Sequence, residues 1–348
     1  SLFIVHCSFF HCSFPMRRSL VSLSSFFLIA FSVLALTIAY WTTINRDSLL
    51  TRNDNPRALI AFNRLQRGRI LDRNGMILAQ TIGQPSQYER KYELSSALVV
   101  GYASFQYGLS GIEEAMNSTL SGDESDSLTN WWKHDLLGEP KIGGDVKLTL
   151  DLNLQRKASN ALNQNKKVGA VVIIAPTGEI LALVSTPSFD PATFEKDFPS
   201  FSASNKGELI NRATYALYPT GSLIDLFPST LALTDPPALP IPTRAADRNK
   251  TTPLQMALLT TSLLNDGVMP SPQLLITNYQ SQLSRPIAIM SRDTAAQLRE
   301  KIKEGYAISM SGQQTLGWFI GFVGENAICI VVENGTGEEA KEVATSLK

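Results

Sequence analysis

Ser222 and Asp225 are the residues of this 348-residue chain whose types and spacing point to chemistry. They lie in the segment YPTGSLID, three positions apart, which is about one helical turn. A serine becomes a nucleophile when a neighbouring base takes its proton. Ionised Asp225 cannot donate a proton, and its charge opposes an alkoxide at Ser222, although a carboxylate can in principle act as a base. Losing tuned acid–base help lowers a rate by about 10²–10⁴-fold.

The same two residues also fit a purely structural role. Ser-x-x-Asp is close to a capping box, with Ser222 at the N-cap and Asp225 at the third helical position. An acid there meets the positive end of the helix dipole, which contributes about 0.3–1 kcal/mol. We favour capping, and the catalytic interpretation stays open.

Eight other segments share their order with one protein family. They read RGRILDRNG (67–75), YGLSGIE (107–113), VGAVV (168–172), TGEILALVS (177–185), PSFDP (187–191), NRA (211–213), TPLQMA (252–257) and GWFIGF (317–322). Together with Ser222 they resemble the penicillin-binding proteins, in particular the class B D,D-transpeptidases. The resemblance covers most of the chain, and it implies a peptidoglycan transpeptidase ancestry.

The resemblance also implies three site motifs, and this chain departs from each of them. In Ser-x-x-Lys, Ser222 matches the nucleophile and Asp225 replaces the lysine. At the Lys-Thr-Gly position stand Met310, Ser311 and Gly312, so the cation that attracts a substrate carboxylate is missing. The backbone N–H of the next residue, Gln313, still suits an oxyanion hole.

The third motif, Ser-x-Asn, has no match. The family carries a long helical segment between the nucleophile and TPLQMA, whereas here residues 231–250 form a short proline-rich connector. Proline at that density blocks a helix and favours an extended strap. Ser262 and Ser284 are conceivable substitutes, but neither is followed two residues later by Asn.

The elements that must position these residues predict an α+β fold. A helix begins after Asp151, and strands near 168–174 and 179–185 form a hairpin. Thr252 and Pro253 start another helix. Strands near 318–323 and 327–333 form a second hairpin, and a helix follows from Gly337. We expect an antiparallel sheet sandwiched by helices, as in the transpeptidase domain of the family, with Cys329 as a packed apolar thiol.

The N-terminal region predicts a membrane anchor. No charged residue lies between Arg18 and Arg46, and Tyr40-Trp41 suits the aromatic belt at a membrane surface. A cleaved signal peptide is the alternative, but the apolar run is long for one and no clear Ala-x-Ala site follows it. The resemblance implies a single-pass protein of the bacterial inner membrane, with a cytoplasmic N-terminus and its bulk outside.

These features divide the chain into four predicted parts. Residues 1–15 read as translated upstream sequence, and residues 16–45 form the short cytoplasmic tail and the anchor. Residues 46–147 form a non-catalytic pedestal, in which Trp131-Trp132 is either a partner-binding anchor or a small satellite core. Residues 148–348 form the transpeptidase-like domain.

The charge balance of the chain limits the kinds of partner that the sequence predicts. Lys and Arg together number 31, as do Asp and Glu, so no basic excess indicates a nucleic-acid partner. No cofactor or metal site can be read from the sequence. The expected partners are cell-wall or division membrane proteins and, weakly, peptidoglycan peptides or β-lactams.

The departures at the site favour a catalytically inactive relative that acts as a binding or scaffold module in cell-wall synthesis or division. An active serine acyltransferase or hydrolase that uses Ser222 with a non-standard base is the alternative. A decaying gene product is a third hypothesis, which the coherent caps and turns on both sides of the strap argue against.

Overall fold

The computed structural model describes residues 14–44, 56–84, 87–123, 141–164, 166–227, 238–276, 286–312 and 315–347. The predictions for Trp131-Trp132, Gln313 and Ser284 therefore lie outside the described residues. The chain forms two compact units, residues 1–61 and residues 62–348.

The first unit contains one long apolar helix. Helix α1, Phe14–Ala39, continues into a π-helical turn, Tyr40–Ile44. Val21–Thr43 has a mean hydropathy of 2.3 and is long and apolar enough to cross a membrane. The hydroxyl groups of Ser32 and Thr37 donate to carbonyls four residues earlier, which satisfies them inside an apolar helix. The predicted N-terminal apolar helix is confirmed. Helix α2, Pro56–Arg64, crosses the boundary between the units.

The second unit begins with a small sheet in the order β3-β2-β1-β6. Its strands are β1 (Ile70–Leu71), β2 (Ile77–Ile82), β3 (Glu89–Tyr92) and β6 (Val146–Lys147). Short elements connect β3 to β6: a 3₁₀ turn (Leu94–Ser96), α3 (Ala97–Val100), the hairpin β4 (Ala103–Ser104) and β5 (Gly108–Leu109), α4 (Gly111–Ala115) and α5 (Asn117–Ser121). β1 and the turn that follows it lie within the segment at residues 67–75.

A five-stranded antiparallel sheet forms the centre of the second unit. Its strands are β7 (Val168–Ile174), β8 (Ile180–Thr186), β13 (Tyr306–Met310), β14 (Leu316–Val323) and β15 (Asn326–Glu333), in the order β13-β14-β15-β7-β8. Helices α6 (Leu152–Gln164) and α10 (Gly337–Thr345) cover one face, and α8 (Pro253–Ser262) covers the other. The predicted fold class is confirmed.

The remaining elements are short. They are α7 (Phe194–Ala203), β9 (Tyr218–Pro219), a 3₁₀ helix (Gly221–Leu226), β10 (Lys250–Thr251), β11 (Val268–Met269), β12 (Ile287–Ala288) and α9 (Arg292–Lys301). β9 pairs with β10, and β11 pairs with β12, both antiparallel.

Alternating side chains of the central strands pack on opposite helices. Val171 and Ile330 lie in the cluster with the apolar residues of α6 and α10, whereas Val172, Cys329 and Val331 lie in the cluster that includes α8. Both faces are buried, which explains why these strands are apolar at nearly every position. Cys329 is fully buried, and burial raises the pKa of its thiol.

Side-chain caps begin the helices where the sequence predicts them. Asp151 accepts hydrogen bonds from the N–H groups of Asn153 and Leu154 at the start of α6. Thr252 and Gln255 form a capping box at α8, with Pro253 in the first turn. Thr336 and Glu339 form another at α10. These caps satisfy N–H groups that have no partner within a helix.

Asp72 joins the small sheet to the start of α6. Its carboxylate accepts from the N–H groups of Asn74 and Met76 in its own turn, and its second oxygen accepts from Leu152 N at 3.0 Å. Arg73 pairs with Glu179 across the same boundary at 3.3 Å. The motif at residues 67–75 is therefore a docking element for the large sheet.

Gln155 closes the outer edge of the large sheet. This fully buried side chain of α6 accepts from Leu183 N and donates to Leu183 O, both at 2.8 Å, as a neighbouring strand would. It also donates to Ser95 O at 2.7 Å. One amide therefore completes strand β8 and ties it to the 3₁₀ turn of the pedestal.

We expect Gln155→Leu to lower the free energy of unfolding by about 2–4 kcal/mol, because three backbone groups, the N–H and C=O of Leu183 and the C=O of Ser95, lose their partner. Urea unfolding followed by circular dichroism measures the change. Gln164→Leu is the matched control, an exposed position of the same helix, and should change stability by less than about 0.5 kcal/mol. Equal effects of the two substitutions would contradict the edge-closing role.

Candidate active site

Ser222 is the second residue of the 3₁₀ helix Gly221–Leu226, and its side chain is exposed. Thr220 occupies the N-cap position and no side chain caps this helix, so the predicted capping box of Ser222 and Asp225 is wrong. The physical reason lies in the flanking residues. Gly221 has a positive φ of +53°, so the chain turns one residue before Ser222 and the helix begins at Gly221. The residue at the N-cap position is therefore Thr220, and its hydroxyl donates to Arg248 O at 2.7 Å instead of capping the helix.

The backbone before Ser222 is fixed by buried polar groups. Trp318 donates its indole N–H to Pro219 O at 2.8 Å. The Tyr218 hydroxyl donates to Glu333 Oε1 at 2.6 Å, and Arg212 Nε donates to the same oxygen at 2.9 Å. Burial and then the nearby Glu333 carboxylate raise the pKa of Tyr218, so it stays a neutral donor.

Asp225 forms an ion pair away from any apolar core. Its Oδ1 lies 3.1 Å from Arg248 Nη2, and both side chains are more than half exposed. The partner belongs to the strap, of which residues 238–250 are described, without regular structure before β10. Thr220 N also donates to Asn249 O, so the strap runs beside the start of the Ser222 helix. Such an exposed pair contributes about 0–1 kcal/mol.

Met310 lies at the end of the edge strand β13, next to the Ser222 helix. A methyl group placed on Gly221 would lie 3.0 Å from Met310 Sδ, so the thioether packs against the turn before Ser222. Ser311 and Gly312 follow at exposed positions. The structure therefore brings the segments of Ser222 and Met310 together.

Within the described part of the chain, no residue forms a hydrogen bond with the Ser222 hydroxyl. Ser262, the other described serine considered from the sequence, is buried in α8 and donates to Leu259 O. The geometry therefore provides a serine without a paired base. An oxyanion-hole role for the residues after Met310 stays a prediction.

Sequence reasoning missed the residues that hold the site in place. Tyr218, Trp318 and Glu333 are separated by up to 115 positions, and each was interpreted as part of a motif or a strand. Their hydrogen bonds cross between elements, and no local pattern shows such a pairing. The one available indication was a glutamate at the end of an otherwise apolar strand.

Comparisons with known proteins agree on one family. A family model described as the penicillin binding protein A dimerisation domain matches residues 67–146. The peptidoglycan D,D-transpeptidase MrdA of Acinetobacter baumannii is 37% identical over 164 residues, which is 43% of this chain and 24% of that protein. The peptidoglycan D,D-transpeptidase PbpA of Mycobacterium tuberculosis is 29% identical over 242 residues, 62% of this chain and 49% of that protein.

Solved structures extend the likeness to the fold. The imipenem acyl-enzyme complex of penicillin-binding protein A from M. tuberculosis aligns with a TM-score of 0.69 at 19% identity, covering 82% of this chain and 98% of that one. Pseudomonas aeruginosa PBP2 in complex with WCK 5153 aligns with a TM-score of 0.65 at 20% identity, covering 81% and 94%.

The chain is a penicillin-binding-protein homologue. It spans about a quarter of the length of the A. baumannii protein and about half of the length of the M. tuberculosis protein. In this homologue the central sheet, its covering helices and the hydrogen bonds that hold the segment before Ser222 are all present.

The buried Tyr218 of the homologue gives a pH-dependent prediction. Its pKa is raised by folding, so above a pH of about 10 the unfolded chain loses this proton and the folded chain keeps it. Stability conferred by the neutral hydroxyl is therefore complete at lower pH and falls as pH rises, by about 1.4 kcal/mol per pH unit.

We expect the stability difference between the natural protein and Tyr218→Phe to shrink at that rate above a pH of about 10. Denaturant unfolding at a series of pH values measures it. Contributions of other groups, such as Tyr92, cancel in the difference. A constant difference across this range would contradict the assignment.

Proposed function

We propose that this protein is a membrane-anchored penicillin-binding-protein homologue that acts in cell-wall synthesis or division as a binding or scaffold module, without transpeptidase activity at Ser222. Its relatives are named as peptidoglycan D,D-transpeptidases. The observation that supports the proposal is the ion pair of Asp225 with Arg248. By the resemblance, position 225 corresponds to the lysine of the family, and here its side chain is an acid with a counter-ion of its own.

A second observation supports the loss of activity. Lysine amines activate serine by taking its proton, and a cation at the edge strand attracts the carboxylate of a peptide. Here Asp225 and Met310 occupy these two positions, and both side-chain changes remove a positive charge. Two missing cations in one site reduce both proton transfer and substrate attraction.

The preserved frame supports a binding role rather than decay. Trp318, Tyr218 and Arg212 still hold the Ser222 segment through buried hydrogen bonds. Buried polar groups without function or partners are costly, whereas here each has a partner. The N-terminal helix suits a single membrane span, with the second unit outside the cell and partners among membrane proteins of wall synthesis.

We expect the purified protein in detergent micelles to form no stable covalent adduct with a fluorescent penicillin, since no base pairs with the Ser222 hydroxyl in the part of the chain that the structure describes. Gel fluorescence after denaturation measures the adduct, with an active penicillin-binding protein as positive control. A labelled band that disappears in Ser222→Ala would overturn inactivity and favour the alternative, a serine acyltransferase with a non-standard base. In that case the labelling rate should also fall in Asp225→Ala.

Restoring the lysine alone should not restore acylation. Asp225→Lys removes an exposed ion pair worth at most about 1 kcal/mol, so the fold is retained. Met310 still leaves the carboxylate of the penicillin without a cation. We therefore expect labelling by the double variant Asp225→Lys, Met310→Lys to exceed that of Asp225→Lys by about tenfold or more. Equal labelling of the two would show that the Met310 position has no role.

A further inference from the structure

Strand β3 forms an open edge of the small sheet. It stands first in the order β3-β2-β1-β6, and within the described part of the chain it pairs with β2 alone. Glu93 N donates to Leu78 O at 2.8 Å, which fixes the alternation of bonded and non-bonded pairs along this ladder. The backbone N–H and C=O groups of Arg90 and Tyr92 therefore point away from β2. Such a row of backbone groups is a template for a further strand.

The side chains of β3 divide between two faces of the small sheet. Arg90 and Tyr92 point to the inner face, where Arg90 is 10% exposed and pairs with the buried Glu113 at 2.8 Å. Glu89 and Lys91 point to the outer face, and their side chains are 61% and 48% exposed. The outer face of the open edge therefore presents one acid and one base, two residues apart.

The sequence of this edge is complementary to itself. Residues 88–92 read YERKY. When two copies run antiparallel with their Arg90 residues opposite each other, Glu89 of each copy stands opposite Lys91 of the other. Charged residues on an edge strand usually prevent pairing, but here their order favours pairing with an identical strand. A shift by two residues would place two Glu89 or two Lys91 side chains opposite each other, so the charges select one register.

The inner face leaves room for a second strand. Arg90 Nη1 donates to Gly68 O at 2.7 Å and to Thr81 Oγ1 at 3.1 Å, so the guanidinium group points into its own sheet and away from the open edge. The two Arg90 side chains of a pair of copies would therefore not meet. A cleft of about 410 Å³, which Tyr88 and Tyr92 help to line, adjoins the strand, so the tyrosine rings of a second copy meet open space.

We propose that β3 pairs antiparallel with β3 of a second copy of this chain, so that two small sheets join into one about a twofold axis between the Arg90 residues. The Arg90 pair and two pairs of Tyr88 with Tyr92 supply up to about six backbone hydrogen bonds. Glu89 and Lys91 already contact each other within one chain, so their exchange between copies sets the register more than the affinity. The interface is short, and we expect a dissociation constant of about 1–100 µM.

Cysteine cross-linking tests the register. In a background of Cys7→Ser and Cys12→Ser only Cys329 remains, and it is fully buried. In the proposed register the Cα atoms of Glu89 and Lys91 of opposite copies lie about 4.5 Å apart, within reach of a disulfide, whereas identical residues lie diagonally at about 7–8 Å. We expect a mixture of the Glu89→Cys and Lys91→Cys proteins in detergent micelles to give at least about fivefold more disulfide-linked dimer on a non-reducing gel than either protein alone. Equal yields, or no cross-linked dimer in the mixture, would overturn the proposal.

Charge reversal gives an independent test by sedimentation velocity at about 1–100 µM. Glu89→Lys should lower the association constant by about fivefold or more, because each copy then opposes a lysine to a lysine. The double variant Glu89→Lys, Lys91→Glu restores an acid opposite a base and should return to within about twofold of the natural protein. Glu300→Lys in α9, at a side chain that is 76% exposed, is the matched control and should have no effect. A natural protein that stays monomeric, or a double variant as weak as Glu89→Lys, would contradict the pairing.

The assembly goes beyond the proposed function and does not depend on the chemistry at Ser222. A covalent penicillin adduct would refute inactivity and leave the sedimentation result unchanged. A protein that stays monomeric would refute the pairing of β3 and leave the labelling result unaffected.

Discussion

The carboxylate of Glu333 is the interaction on which the Ser222 region depends. It stands at the end of β15, where one oxygen accepts from both Arg212 and Tyr218. Charge-assisted hydrogen bonds of this kind are stronger than neutral ones, and here both donors are buried. Because Tyr218 begins the short strand before the Ser222 helix, the central sheet sets the position of that helix directly. None of these hydrogen bonds involves the side chain at position 225.

The pedestal and the sheet are joined by side chains that take the place of backbone partners. Asp72 bonds the first N–H of α6 from a turn of the small sheet, and Gln155 pairs with both backbone groups of Leu183 from within α6. Together they fix α6 between the two parts. The homologue thus closes a sheet edge and docks a second subdomain without an additional strand.

Much of the fold was predictable from the sequence because it is locally encoded. Thr252 with Gln255, Asp151 and the turn at Gly178 each signal a helix start or a hairpin within a few residues. Two apolar hairpins in the sequence predicted the antiparallel sheet that lies between helices. These features need no knowledge of distant contacts, and the structure has them at the predicted places.

The site was less predictable because its geometry depends on distant residues. The spacing of Ser222 and Asp225 matches a helix cap, but the positive φ of Gly221 turns the chain one residue before Ser222. Asp225 pairs instead with Arg248 of the strap. The hydrogen bonds of Tyr218 and Gln155 join residues 115 and 28 positions apart. Spacing along the chain carries no information about such pairs.

The pairing of β7 with β15 has a consequence for how the protein reaches its folded state. Val168 pairs with Glu333, so two neighbouring strands of the central sheet lie far apart along the chain. Such non-local contacts must overcome a large loop-closure entropy, and proteins dominated by them fold slowly. During synthesis, the apolar hairpin of β7 and β8 is made long before its neighbour and stays open to misassociation until then. Completion of the central sheet therefore waits until strands β13, β14 and β15 have been made.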